Sequence, residues 1–246
     1  MRKLNKILSD ILIDPNDKLR LKINWSKEGV VKNISRKNSQ SYPVFNGVID
    51  FVGSNNYAKN FGDQWSRFPK LQLDSFNGTN ISEDRFIKAT GIKRKDLKGK
   101  LVLDVGCGTG RFAEIALKYG AIVVGLDYSI AARVASKNLE QFENFIAIQG
   151  DIYKLPFKKN SFDLVYCLGV LQHTPNVEKA FKMLVPMVKN SGVLAVDYYW
   201  KRFRTIIGWK YLIRIITSRI DEKIVLKLLK LVHPTFYPLS DFLAKS

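Results

Sequence analysis

The chain is poor in the residues that several common site types require. Two cysteines, Cys107 and Cys167, and two histidines, His173 and His233, stand among 246 residues. Both cysteines lie in apolar or turn sequence of the same central region. A disulfide framework is therefore not expected, and a reducing cytoplasm is the compartment this usage implies. No run of about eighteen residues is uninterruptedly apolar, so no transmembrane helix is expected. The first residues, Met1-Arg-Lys-Leu-Asn-Lys-Ile-Leu-Ser-Asp10, are basic. Their apolar run is short and is broken by Asp10 and Asp14, unlike a signal peptide. Internal repeats and low-complexity linkers are absent.

Acidic residues are also scarce, at 22 against 40 Lys and Arg, a formal net charge of +18. The excess is uneven: +6 over residues 1–40, +3 over 41–99, +2 over 100–199 and +7 over 200–246. Two readings stay open. One is contact with a polyanion, whether nucleic acid, an anionic glycan or an acidic membrane surface. The other is a solvated Lys- and Asn-rich surface. No compact Lys/Arg cluster interleaved with aromatics is present, which disfavours RNA.

What the chain does have is enough apolar sequence, 46%, for one large domain or one domain with a small appendage. From residue 100 strands and helices alternate, which implies a doubly wound α/β architecture with a parallel sheet. Strands are expected near 101–105, 122–126, 145–148, 162–167 and 192–197. Helices are expected near 111–119, 129–140 and 177–188.

The first strand ends in Leu101-Val-Leu-Asp-Val-Gly-Cys-Gly-Thr-Gly110, and a helix pattern follows directly. A strand, a Gly-rich turn and a helix form a nucleotide-type site, because glycines admit a ligand close to the backbone and the helix start offers free N–H groups. Gly106, Gly108 and Gly110 alternate, and Arg111 stands where the dinucleotide fingerprint needs its third glycine. Asp104, ahead of the turn, would repel a pyrophosphate and would suit a ligand with a cationic amine. The second strand ends in Asp127, placed to accept both hydroxyls of a ribose. Gly150-Asp151-Ile152 follows the third strand, and Leu168-Gly169-Val170 ends the fourth.

The D-x-G-x-G-x-G pattern with these downstream acids resembles the class I methyltransferases that use S-adenosylmethionine (SAM). The resemblance implies a Rossmann-like fold and SAM as cofactor. It assigns the cofactor to Asp104, Gly106, Cys107, Gly108, Thr109, Gly110, Asp127, Tyr128, Asp151, Ile152, Leu168 and Gly169. Asp151 would hydrogen-bond the adenine amino group, and Ile152 would pack on the ring. His173, just after the fourth strand, is a candidate general base or a loop-shaping residue. His233, before Pro234, reads as structural. No metal ligand set is expected.

The flanking segments divide the chain into 1–55, 56–98, 99–199 and 200–246. Tyr42-Pro-Val-Phe-Asn-Gly-Val-Ile-Asp-Phe-Val52 reads as two short strands around an Asn46-Gly47 turn. It resembles the zinc-ribbon appendage of some bacterial methyltransferases, here without its cysteines, and so dependent on packing or docking. Residues 56–98 resemble a helical cap of the same group, often found among surface-polysaccharide and lipid-linked sugar genes. Phe61, Gln64, Trp65 and Arg67 are candidates for a lid over the cofactor pocket, Gln64 and Trp65 as cofactor-binding residues, and Ser82 is read as the N-cap of a helix. Residues 206–232 read as basic amphipathic helices, and no hairpin of strands is seen after residue 197. Three readings stay open there: closure over an acceptor, an anionic membrane surface in contact with 200–232, or a face awaiting further strands.

The expected function is methyl transfer to a small-molecule or lipid- or sugar-linked acceptor, with O-methylation favoured. A tRNA or nucleic-acid methyltransferase and a non-catalytic SAM-fold protein are the alternatives. The expected location is cytoplasmic, with a membrane-peripheral variant.

Overall fold

The computed structural model describes residues 3–27, 31–35, 41–53, 59–198 and, beyond them, 219, 220, 224, 227, 228 and 231. Residues 1–198 form one compact unit and 199–246 a second.

The centre of the first unit is a sheet. Strands β6 (Leu101–Val105), β7 (Ile122–Asp127), β8 (Phe145–Gln149), β9 (Phe162–Cys167) and β10 (Val188–Val196) pair in parallel in the order β10-β9-β6-β7-β8. Every residue of β6 is buried. A strand covered on both faces needs apolar residues at successive positions, which is why it reads as a continuous run. Its alternate side chains enter two different cores. Leu101, Leu103 and Val105 join a layer that includes Leu4, Leu8, Phe157, Ala180 and Leu184. Val102 joins the opposite layer with Phe86, Phe112, Ile115 and Tyr166.

The helices between the strands are α5 (Arg111–Lys118), α6 (Ala131–Asn138) and α7 (Val177–Leu184). The last is shorter than the 177–188 span expected. It passes into a 3-10 turn at Val185–Met187, where Pro186 cannot donate to the helical ladder, and β10 starts directly at Val188. Strand β10 therefore begins earlier than residue 192, with a break in register between Val188 and Val193.

The segment before the core extends the same sheet. A three-stranded sheet comprises β1 (Lys22–Trp25), β2 (Val31–Ser35) and β3 (Ser41–Tyr42). Strands β4 (Val44–Phe45) and β5 (Val48–Asp50) then form a hairpin through Asn46 and Gly47, whose φ of 50° and 83° are both positive, as a two-residue primed turn requires. Strand β5 pairs in parallel with β8, so the hairpin lengthens the central sheet to seven strands. Helix α1 (Lys3–Ile11) buries Leu4 and Leu8 in the core, and the backbone behind it is held at Ile13 N–H to Pro156 O (2.9 Å) and Lys158 N–H to Ile11 O (2.9 Å). Buried Asp14 accepts from Tyr42 Oη at 2.5 Å, which ties that turn to β3. Packing and main-chain bonds thus hold this cysteine-free segment.

Helices α2 (Lys59–Arg67), α3 (Asp74–Asn77) and α4 (Ile81–Thr90) complete the unit. Ser82 is not the N-cap of α4. It lies inside the first turn, and its N–H and that of Glu83 donate to the Asp74 carboxylate at 3.0 and 2.9 Å. A carboxylate delivered from a neighbouring helix does the capping. Glu83 in turn accepts from Arg94 (2.6 Å), Lys118 (2.8 Å) and the Tyr119 hydroxyl (2.5 Å), locking α4 to α5. Burial opposes ionisation of Glu83, but these three donors overcome it and hold its pKa at about 2.

Of the residues read as C-terminal helices, 219, 220, 224, 227, 228 and 231 are described; the last four are helical, whereas 219 and 220 form a turn and a bend that interrupt the expected helical span. The rest of that span, like the question of strands after 197 and the role of His233, falls outside the described residues.

Candidate cofactor site

Strand order reverses at β6. The chain places β7 and β8 on one side and then crosses to place β9 and β10 on the other. A crevice at the carboxyl ends of such strands is where this architecture binds ligands. The turn Gly106–Gly110 lies at that point.

The turn is fastened to the neighbouring strand. Gly106 and Cys107 N–H both donate to Leu126 O, at 2.6 and 3.1 Å. Gly108 N–H donates to Asp127 Oδ2 at 2.9 Å. Gly106 has φ 78°, and a Cβ there would stand 2.4 Å from Val170 Cγ2. Gly108 has φ 53°, and its nearest neighbour would be Trp65 Nε1 at 3.8 Å. The backbone is therefore closed at Gly106 and open at Gly108, beneath the indole of α2. Cys107 points the other way, into the core beside Gly125, and burial pushes its thiol pKa up. Thr109 is buried; its hydroxyl has no hydrogen-bond partner, and its carbonyl accepts from Asn138.

Asp127, at the end of β7, accepts Gly108 N–H on one oxygen. On the other it accepts Ser129 N–H (2.8 Å) and the Ser129 hydroxyl (2.7 Å). Burial raises its pKa, and the Ser129 and Gly108 bonds pull the other way. Its carbonyl accepts Gly150 N–H at 2.8 Å, which brings the end of β8 alongside. Asp151 caps the following 3-10 turn by accepting Tyr153 N–H at 2.8 Å. The phenol of Tyr128 is raised by burial and by the charge of Asp151, so these two side chains are neighbours. Ile152 is buried in the core layer that includes Val105 and Leu155. The structure thus brings together Gly106, Gly108, Asp127, Tyr128, Asp151 and Ile152.

Asp104 is placed differently. It is 2% exposed and lies on the face covered by α5, in register with Tyr166 of β9. Its Oδ2 and the Tyr166 hydroxyl both lack a full hydrogen bond, although they face each other. Burial pushes the pKa up to about 8, the nearby Asp127 charge adds to this, and the Tyr166 and Ala113 donors oppose it.

At the end of β9, Leu168 is buried in the α4–α5 layer, and Gly169 turns with φ 74°. Gly169 N–H donates to Asp197. The other oxygen of Asp197 accepts from Arg85 Nη2 at 2.8 Å, and that guanidinium lies 3.4 Å from where a Gly169 Cβ would be. His173 is exposed on a 3-10 turn after the strand. Beside it, both amide atoms of Gln172 are buried without a partner. Gln64 is exposed and Trp65 half-buried on α2, where Gly62 packs tightly on Ile130 of the loop before α6. The Phe61 side chain falls outside the described ones.

Sequence reasoning missed Arg85, Asp197, Ser129 and Gln172. Asp197 directly follows β10, the same strand-end signal that Asp127 carries on β7. Arg85 carried no local signal beyond a helix start.

A family model described as a methyltransferase domain matches residues 103–196. A sterol 24-C-methyltransferase of Saccharomyces cerevisiae is 32% identical over 187 residues, covering 72% of this chain and 46% of that protein. A ubiquinone biosynthesis O-methyltransferase of Coxiella burnetii is 36% identical over 126 residues, covering 49% of this chain and 54% of that protein. The crystal structure of the YcgJ protein from Bacillus subtilis superposes with a TM-score of 0.46 at 26% identity, over 55% of this chain and 58% of that one. The chain spans about half the length of the curated relatives it matches.

Proposed function

We propose, from the premise that this chain carries a class I SAM-dependent methyltransferase domain, that it transfers a methyl group to a hydroxyl of a small lipid-like or lipid-linked acceptor. The observation that carries the reading is the Asp127 carboxylate bonded to Gly108 N–H at the strand-order reversal, with Asp151 alongside.

The residues present fit the cofactor. A carboxylate has about four lone-pair positions, and Asp127 uses three, so its oxygens retain room for a ribose hydroxyl. Gly108 leaves the backbone open to close approach, and Trp65 lies over it and would exclude water. Asp151 and Tyr128 would take the adenine end. Arg85 is the cation beside Gly169 and would pair with the carboxylate of the methionine part. Asp104 is buried under α5, and its unpartnered Oδ2 is the acceptor left for the cofactor amine. SAM supplies an electrophilic methyl group on a positively charged sulfur. The chain then has to hold the acceptor oxygen in line and accept its proton, for which His173, exposed on the turn after β9, is the candidate.

The lipid-like character of the acceptor draws on both relatives, one named for a sterol and one for ubiquinone biosynthesis, and its hydroxyl on the O-methyltransferase alone, since the sterol relative is named as a C-methyltransferase. Calorimetric titration of the chain with SAM tests the cofactor. Methyl-labelled SAM incubated with cell extract and the chain tests the acceptor, with label expected in the organic-extractable fraction. Absence of SAM binding would overturn the reading, and label in RNA would replace the acceptor.

A further inference from the structure

The second unit presents an apolar row to solvent. Ile224, Leu228 and Leu231 are 54%, 51% and 76% exposed, and all three positions are helical. Spacings of four and three residues put them on one face of a helix. Lys227, also exposed, falls at the margin of that face. A row of this size left in water is unfavourable unless something covers it.

The charge around the row indicates what that is. Residues 200–246 hold ten Lys and Arg against three Asp and Glu, the largest net basic excess of the four segments. A long basic side chain flanking an apolar row can lay its methylenes along the apolar surface and keep its ammonium at a layer of anionic head groups. A short apolar row flanked by basic side chains is the pattern of a helix that lies on a bilayer. We propose that the helix containing Ile224, Leu228 and Leu231 is an interfacial segment that seats this chain on an anionic lipid surface. The basic excess supplies long-range attraction, and the three apolar residues supply depth of insertion. The inference does not depend on the cofactor reading, since none of these residues takes part in it.

The test is flotation of the full chain with vesicles of phosphatidylcholine alone or mixed with phosphatidylglycerol, at low and high salt. Binding is expected on the mixed vesicles, at least about tenfold above the neutral ones, and it should weaken as salt rises. Leu228→Glu and Ile224→Glu should each bring binding down to the neutral-vesicle level. SAM affinity and melting temperature of the same proteins should not change, which shows that the variants are folded. Three results would overturn the proposal: no binding to mixed vesicles, equal binding by Leu228→Glu, or a mass by light scattering that reveals a dimer abolished by Leu228→Glu. The last would assign the row to a second copy of the chain.

Discussion

Replacing Asp127 tests the candidate site most directly. Its carboxylate accepts three hydrogen bonds, from Gly108 N–H, Ser129 N–H and the Ser129 hydroxyl. Asp127→Ala removes the acceptor for all three and for any ribose hydroxyl. Hydrogen bonds to charged groups contribute about 1.5–3 kcal/mol each, so losing the one acceptor position left for the ribose costs about 1.5–3 kcal/mol, roughly 10- to 150-fold in SAM affinity. The same change leaves two backbone N–H groups without partners and lowers stability by about 1–3 kcal/mol. Asp127→Asn separates the two effects. It keeps one acceptor oxygen and removes a charge that burial disfavours, but its NH2 cannot accept the backbone N–H on its own side, so its melting temperature should fall by less than that of Asp127→Ala. Its affinity should still fall by about tenfold, because the amide can accept on only one side. Calorimetry well below the melting temperature gives the affinities, and thermal unfolding followed by circular dichroism gives the stabilities. If folded Asp127→Ala binds SAM within about threefold of the parent, Asp127 only braces the glycine turn, and the ribose assignment is wrong.

Gly106→Ala should destabilise the domain by more than the roughly 1–2 kcal/mol that a positive φ costs a residue with a Cβ, because the new carbon would stand 2.4 Å from Val170 Cγ2. In a Val170→Ala background the excess should shrink, and denaturant melts of the four proteins should return a coupling of about 1 kcal/mol; strict additivity would show that Val170 does not press on the turn. Glu83 titrates at about 2 in the folded chain, below its ordinary value of 4.5, so its stabilisation is present above pH 4.5 and is lost as pH falls toward 2. Its partners Arg94 and Lys118 are half-exposed, which discounts the effect. Glu83→Gln should then lose about 2–3 kcal/mol at pH 7 and differ little from the parent near pH 2, and a gap in melting temperature that persists at low pH would contradict this.

The parts of the fold legible in the sequence are those with a local cause. Strands β6, β7, β8 and β9 were readable because both their faces are covered, which demands runs of apolar residues. The Asn46–Gly47 turn was readable because few residues tolerate positive φ at both positions. The extent of α7 was misjudged because its apolar periodicity continues through Val185 and Met187, while Pro186 ends the helix. The helix start at Ser82 looked like a capped terminus, yet the cap arrives from Asp74, eight residues away. Nothing in the hairpin's own sequence announced that β5 would add to β8, because a strand edge accepts any backbone that reaches it in register.

By itself, then, the sequence determined a parallel α/β core with a glycine turn and acids at successive strand ends. These follow from side-chain period and backbone sterics over a few residues. What surrounds each of those acids was decided only by the tertiary structure. Asp104 and Asp127 are alike in sequence, each closing an apolar strand. One is buried beneath α5 beside Tyr166, and the other is turned toward Gly108. The same holds for the pair of Arg85 and Asp197, which meet across 112 residues. Pairings at that separation depend on how sheet and helices pack, and no local pattern in the chain encodes them.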